Sequence, residues 1–236
     1  MKKMAVAVLF CLGFWSAISS GQAIAVGPTD QQLLVDQSLM TLRAFQAAPD
    51  MHLFREAVKT AKGIFIVPDL YKGGLGLGGS FGKGVYMAKD TTTGKWRGPA
   101  FYDIGSLTLG IQAGGEVSQV IILAMTDDAV NKMLSSHFKL GSDASAAAWT
   151  TGVGTSGNSA VPLAAFISFS RSKGIYGGLN LEGSFIKPDD EANAVYYGAN
   201  ATPGVILSRR GAKTPEDTRL RKEMARVETA SGRAID

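Results

Sequence analysis

The chain has 236 residues and a formal charge of +4, with 24 lysines and arginines against 20 acidic residues. A surplus this small excludes the strongly basic footprint of a nucleic-acid-binding protein but permits contact with anionic surfaces. The single cysteine, Cys11, lies in the apolar N-terminal run, so the rest of the chain holds no disulfide, catalytic thiol or thiolate metal site. Glycine is the compositional outlier, and its 29 residues lie largely among alternating apolar residues, a pattern typical of closely approaching β-strands.

The N-terminus has the three parts of an export signal. Lys2 and Lys3 give a basic start, residues 5–18 carry no charge, and residues 23–25 have the small-x-small pattern of a signal peptidase site. The uncharged run is shorter than the about 20 residues that a transmembrane helix needs. We therefore expect residues 1–25 to be a cleaved signal peptide and the mature protein to be periplasmic.

The mature chain is predicted to form one domain followed by a charged segment. The domain is expected over residues 26–210, a length that can bury a full core. A final helix is predicted to begin at Thr214 or Pro215, within residues 211–236. Its density of charged residues indicates a helix or tail that lies in solvent.

Two amphipathic helices are predicted at the start of this domain. Thr29 or Asp30 can cap the first, which extends to about residue 47. Pro49 suits the first turn of the second, and Gly63 follows its expected C-terminus. We expect the apolar stripe of each helix to pack against the core.

From residue 64 the pattern changes to that of strands. Residues 64–67 predict a buried strand that ends at Pro68, and residues 85–89 and 96–101 flank a hairpin loop at 90–94. Further strands are predicted in the segments 107–113, 120–125, 164–170 and 175–185. Thr126 is predicted to cap a short helix between them.

The glycine-rich stretch is echoed once in the sequence. Residues 73–81 and 177–185 share the frame Gly-Gly-Leu-x-Leu-x-Gly-Ser-Phe. Together these features predict an α+β fold: a curved, mostly antiparallel β-sheet or barrel-like core with two N-terminal helices and further flanking helices.

Two catalytic patterns occur in the glycine-rich stretch without the structural context that they require. Residues 74–79 match the dinucleotide-binding string, and residues 78–82 spell a nucleophile elbow around Ser80. Both motifs must open a helix, whereas a β-like segment follows here. His52 and His137 are the only imidazoles, and neither has a second ligand at metal-binding spacing. We therefore expect a strand position for Ser80 and a protein without enzymatic activity, cofactor or metal.

Several longer strings resemble the SYLF family. They are residues 61–68, the glycine-rich run to residue 85, and the segments 96–101, 114–117, 170–184 and 193–198. The most specific is Ser-Arg-Ser-Lys-Gly-Ile-Tyr-Gly-Gly-Leu-Asn-Leu-Glu-Gly-Ser at 170–184, and the resemblance spans about residues 30–208 with the motifs in the same order. The resemblance implies a domain that binds membrane phospholipids, as do the eukaryotic members, which recognise phosphoinositides and couple membranes to actin through added SH3 or FYVE modules. Because this chain has an export signal and neither module, we expect anionic phospholipid as its ligand and do not expect actin.

Basic residues near the predicted turns are candidates for the membrane contact. Each lysine or arginine near an anionic surface contributes about 1 kcal/mol, so three or four on one rim of the sheet would give weak, salt-sensitive binding. Trp149 lies where the family tends to have Gly-Pro, and an exposed tryptophan there, or the apolar face of the first helix, would add a hydrophobic contribution. The candidates are Lys72, Lys83, Lys95, Arg97, Trp149, Arg171 and Lys173.

Two other classes of protein stay open. One is a structural or protein-interaction module of the cell envelope that has an envelope protein partner and no lipid ligand. The other is an integral outer-membrane barrel, which alternating glycine-rich strands favour. Helical segments at both ends of the mature chain and the continuous apolar run at 120–125 argue against the barrel.

Overall fold

The computed structural model describes residues 29–75, 77–109, 114–148, 164–208 and 215–230. The predicted signal peptide and Trp149 lie outside these residues. In chain order the elements are α1 (Asp30–Ala47), α2 (His52–Thr60), β1 (Gly63–Leu75), β2 (Leu77–Lys89), β3 (Trp96–Leu109), β4 (Gly114–Ala124), α3 (Asp127–Met133), β5 (Phe138–Lys139), β6 (Ala146–Ala148), β7 (Phe166–Ser172), β8 (Ile175–Gly177), β9 (Phe185–Pro188), α4 (Asp190–Tyr197), α5 (Pro203–Ser208) and α6 (Pro215–Ala230). None of the helices in the described ranges is long and apolar enough to cross a membrane.

The described strands form one sheet in the order β5-β9-β3-β2-β1-β4-β7-β6, with β8 paired to β7. The pairing of β6 with β7 is parallel, and the other strand pairs of this sheet are antiparallel. The sheet curls strongly into a half-barrel, and the described residues also form six helices. This confirms the predicted α+β fold with a curved, mostly antiparallel sheet.

The core lies on both faces of the sheet. One face, here called the helix face, packs against α1, α2 and α6; Phe54 of α2, for example, meets Phe169 of β7 edge-to-face at 5.4 Å. On the other face, here called the reverse face, Tyr102 contacts both Phe65 and Tyr86, at 5.9 and 5.7 Å between ring centroids. Because alternate residues of a strand point to opposite faces, the buried parts of these strands are apolar on both sides.

Several local predictions are confirmed by the chemistry of the caps and turns. Thr29 caps α1 in a capping box with Gln32, and Thr126 accepts a hydrogen bond from the backbone of Ala129 at the start of α3. Asp90 accepts hydrogen bonds from the backbone N–H and the side-chain hydroxyl of Thr93 and closes the hairpin between β2 and β3. These signals are local, so the sequence alone is enough to place them.

Two strand predictions are wrong. Pro68 does not end its strand: β1 continues to Leu75, with a β-bulge between Ile66 and Leu70 that takes the proline out of the ladder. The predicted strand over 175–185 is broken, because residues 178–184 form loop and turn between β8 and β9. The two copies of the repeated frame therefore differ in structure.

The prediction that the charged final helix lies in solvent is also wrong. Leu220, Met224 and Val227 form a fully buried stripe on α6. The charged residues of α6 make contacts as well, since Glu223 pairs with Arg43 of α1 at 3.1 Å. The helix therefore packs against the rest of the fold, while the domain boundary at residue 210 stays a prediction.

Candidate functional site

The ends of four strands form a surface that the helices of the described ranges leave uncovered. This surface, here called the sheet tip, consists of residues 71–75 of β1, 77–81 of β2, 105–109 of β3 and 114–117 of β4. Its strands lie in the order β4-β1-β2-β3.

One cross-strand row of the sheet tip is apolar on the helix face. Tyr71 is opposite both Phe81 and Val117, Phe81 is opposite Gly105, and Gly105 is opposite Phe185 of β9. Cross-strand partners share a face, so the four side chains form what is here called the apolar row. A Cβ at Gly105 would lie 3.2 Å from the Phe185 ring, so the absence of a side chain at this position makes room for the ring.

The apolar row is open to solvent. The exposed fractions are 57% for Tyr71, 52% for Phe81, 48% for Val117 and 40% for Phe185. Leu107, two residues further out on β3, is 82% exposed. Contiguous exposed apolar groups of this kind mark contact sites for proteins, membranes or ligands.

Lysines and aspartates lie behind the apolar row, two residues nearer the core on the same face. Lys83 is opposite Asp103, which is opposite Lys187. Asp103 pairs with Lys83 at 3.5 Å and with Lys187 at 3.4 Å, and Lys83 also donates a hydrogen bond to Asp189. This hydrogen bond raises the pKa of Lys83 against the opposing effect of burial, so the ammonium stays charged.

The reverse face of the sheet tip is polar. Ser106, Ser80, Lys72 and Glu116 are successive cross-strand partners and form what is here called the polar row. The hydroxyls of Ser80 and Ser106 lie 2.8 Å apart and share a hydrogen bond. The prediction that Ser80 occupies a strand is thus confirmed. The sheet tip is apolar on one face and polar on the other.

The pKa values of the two charged residues of the polar row are shifted by different causes. Hydrogen bonds from Ser172 and Ser118 keep the pKa of Glu116 below its usual value, against the effect of burial. The Lys72 side chain is half-buried, and burial lowers its pKa although Glu116 acts in the opposite direction. The row therefore contains a firmly ionised carboxylate beside a partly desolvated ammonium.

Arg171 and Lys173, two of the predicted basic residues, flank the sheet tip at the turn between β7 and β8. Lys173 is exposed, adopts a positive φ of 48° and acts electrostatically on Glu116. Arg171 donates a hydrogen bond to Gln119 at 3.3 Å and lies over the ring of Tyr176 at 5.3 Å.

Lys95 and Arg97 lie at the opposite end of the sheet. Arg97 is buried and pairs with Asp90 at 2.8 Å, while Lys95 is exposed in the hairpin loop. The strand from Ser80 to Lys89 separates this end from the polar row by roughly 30 Å. The structure thus brings Lys72, Lys83, Arg171 and Lys173 to or beside the sheet tip but leaves Lys95 and Arg97 apart.

Sequence reasoning missed the apolar row. Tyr71 and Phe81 alternate with Lys72 and Ser80, which is the available signal of a strand with one apolar face. The sequence does not show that the described helices leave the helix face of the sheet tip uncovered.

Comparison with known proteins gives a family and several relatives. Residues 105–227 match the family model described as Ysc84, Las17-binding protein actin regulator. LAS seventeen-binding protein 3 of Saccharomyces cerevisiae is 33% identical over 159 residues, which are 66% of this chain and 34% of that protein. Protein YSC84 of the same yeast is 30% identical over 65% of this chain and 33% of its own length. SH3 domain-containing YSC84-like protein 1 of Homo sapiens is 30% identical over 63% of this chain and 44% of its own length. The chain spans less than half the length of these relatives.

Proposed function

The chain belongs to the Ysc84 (SYLF) family of binding and regulatory domains, and we propose that it binds phospholipid membranes containing anionic lipid, without catalysing a reaction. The observation that carries the proposal is the exposed apolar row with lysines directly behind it. From the export signal pattern of residues 1–25 we propose that the membrane surface is a periplasmic one.

The layering of the sheet tip suits a membrane interface. Leu107 lies further out than the apolar row, and Lys83 and Lys187 lie about 7 Å behind that row, because two strand residues span about that length. Interfacial elements bury their apolar side about 5–10 Å into the boundary between head groups and acyl chains. Lysines at the next level extend their ammonium groups to the head groups.

The apolar contribution is expected to exceed the electrostatic one. Full burial of a large apolar side chain yields about 1.5–3 kcal/mol, so the half-exposed members of the apolar row and Leu107 would each contribute about 1 kcal/mol. The lysines near the sheet tip face Asp103, Glu116 and Asp189, which offset much of their charge. We therefore expect anionic lipid and low salt to strengthen the binding only moderately.

The test is co-sedimentation of residues 26–236 with phosphatidylcholine vesicles, with and without phosphatidylglycerol, at low and high salt. The variant Phe81→Ser with Leu107→Ser is expected to weaken binding by at least about tenfold, since about 2 kcal/mol of apolar contact is lost. The matched control is Val195→Ser with Met40→Ser, which removes two exposed apolar side chains, 63% and 57% exposed, from α4 and α1. Circular dichroism confirms that each variant is folded.

A protein partner is the second candidate, because one relative is named as a LAS seventeen-binding protein. The apolar row would then be the docking surface for that partner. If the folded protein binds neither vesicle type, the membrane proposal is wrong. If the control variant weakens binding as much as the sheet-tip variant, the assignment of the contact to the sheet tip is wrong. The first of these results would favour the protein partner.

A further inference from the structure

The polar row presents donors and an acceptor in a fixed order across the sheet. The hydroxyls of Ser106 and Ser80 come first, then the Lys72 ammonium, then the Glu116 carboxylate. Neighbouring strands lie about 4.8 Å apart, so the cationic and anionic groups originate from adjacent positions at that spacing. The order is fixed by the backbone ladder and does not depend on flexible loops.

Lys72 and Glu116 interact through space and form no direct ion pair among the described residues. Glu116 already accepts a hydrogen bond from Ser118 at 3.1 Å. The half-buried Lys72 has lost part of its hydration, so an added anion beside it would stabilise its charged form.

Glycines of three strands border the polar row on the side of the strand ends. The next reverse-face positions are Gly74, Gly78 and Gly114, which are again cross-strand partners. A Cβ at Gly114 would meet no atom within 4 Å. Three successive strands therefore present bare backbone beside the charged groups, and a ligand can approach them closely.

The ligand that fits carries both a phosphate and a primary ammonium. Phosphate oxygens accept hydrogen bonds from the hydroxyls and from Lys72, while an ammonium donates to Glu116. A lone phosphate would leave Glu116 repelling it, and a quaternary choline has no N–H to donate. We propose that the polar row binds the phosphoethanolamine head group, with the phosphate at Ser80 and Lys72 and the ammonium at Glu116. As a lipid-binding site it rests on the proposed function, because membrane contact brings the sheet tip to the lipid.

The test replaces phosphatidylcholine by phosphatidylethanolamine in vesicles with a constant share of phosphatidylglycerol. The wild-type protein is expected to bind about tenfold more tightly after the replacement, equivalent to about 1.4 kcal/mol. Glu116→Gln is expected to lose this preference and still to bind the phosphatidylcholine vesicles, at least as tightly as the wild type, because its acid no longer offsets the charge of Lys72. The matched control is Glu182→Gln, which changes an exposed acid outside the sheet tip and is expected to keep the preference.

Two results would overturn the proposal. One is a wild-type protein that binds both vesicle types equally. The other is a preference that survives in Glu116→Gln, since it would then come from the looser packing of phosphatidylethanolamine bilayers. Loss of binding to every vesicle type would instead be a failure of the proposed function, so the two failures are distinguishable.

A soluble ligand tests head-group binding without a bilayer. It therefore reports on the polar row even if the protein binds no vesicle. Glycerophosphoethanolamine is expected to shift the NMR signals of the Lys72 side chain at millimolar concentration. Glycerophosphocholine and inorganic phosphate are expected to shift them at least about tenfold less strongly at the same concentration. Equal shifts from inorganic phosphate would show a plain anion site and contradict the proposal.

Discussion

Asn193 of α4 completes the backbone hydrogen bonding of β3 at the position where the neighbouring strand, β9, ends. The side chain is fully buried; its Oδ1 accepts a hydrogen bond from the Phe101 N–H at 2.9 Å, and its Nδ2 donates to the Phe101 carbonyl at 3.0 Å. The same carbonyl accepts a hydrogen bond from the backbone of Asp189 at 3.0 Å. Since β9 pairs with β3 from Tyr102 to Gly105, the asparagine takes over the role of a strand at the next position. It thereby anchors α4 and β9, which carries Phe185 and Lys187.

Asn193→Ala is expected to lower the free energy of unfolding by about 3 kcal/mol. The buried Phe101 N–H loses its partner, which costs about 1–3 kcal/mol, and the lost bond to the carbonyl costs about 1 kcal/mol more. The higher helix propensity of alanine offsets about 0.5 kcal/mol. Urea unfolding followed by circular dichroism measures the difference, and Val195→Ala, at an exposed position of the same helix, is the control with an expected change below about 0.5 kcal/mol.

Asn193→Asp tests the same geometry through pH. The introduced carboxyl can accept from the Phe101 N–H, but when ionised it repels the Phe101 carbonyl, and burial also disfavours its charge. Its pKa in the folded state should thus lie above the unfolded value of about 3.9. The stabilising contribution of the protonated carboxyl is then present below the unfolded pKa and is lost as pH rises through the folded pKa. The unfolding free energy of the variant should therefore fall short of that of wild type by less near pH 4 than near pH 7. A deficit that is independent of pH, or largest in acid, would refute this account of Asn193.

Two further pairs of variants test the packing by urea unfolding. In Gly84→Ala the new Cβ would lie 2.3 Å from a backbone carbonyl oxygen of β1, so we expect a loss of about 3 kcal/mol or failure to fold, whereas Gly73→Ala, with its nearest atom at 3.8 Å, should cost less than about 1 kcal/mol. Leu220→Ala in the buried stripe of α6 is expected to cost about 2–5 kcal/mol and Lys222→Ala on its exposed side less than about 0.5 kcal/mol. Equal losses within either pair would contradict the packing described here.

The parts of the fold that the sequence predicts are those that local chemistry decides. Thr29 at the start of α1 and Asp90 in the hairpin act within three residues of their own position, so their roles can be read without knowing the rest of the fold. The burial of α6 could not be read in this way. Its stripe of Leu220, Met224 and Val227 is diluted by charged residues, some of whose partners, such as Arg43, lie far away in the chain.

The candidate site was only partly predictable for the same reason. The charge of Lys83 makes it a candidate, yet the acid that binds it most closely, Asp189, is 106 residues away in sequence. Arg97 is a basic residue near a turn and thus a candidate by sequence, but it is buried against Asp90. The apolar row was missed because nothing in the local sequence distinguishes a covered strand face from an uncovered one.

The β-bulge at Pro68 is what makes the sheet tip apolar on one face and polar on the other. Before the bulge, the even-numbered residues of β1, such as Ile66, point to the helix face, where Ile66 is opposite Ile121. Unbroken alternation would carry Lys72 to that face as well and send Tyr71 to the reverse face. The extra residue in β1 reverses this assignment, so that Tyr71 meets Phe81 and Val117 while Lys72 meets Glu116. Pro68, which the sequence pattern predicts to end a strand, therefore lies where β1 passes from the buried core into the sheet tip.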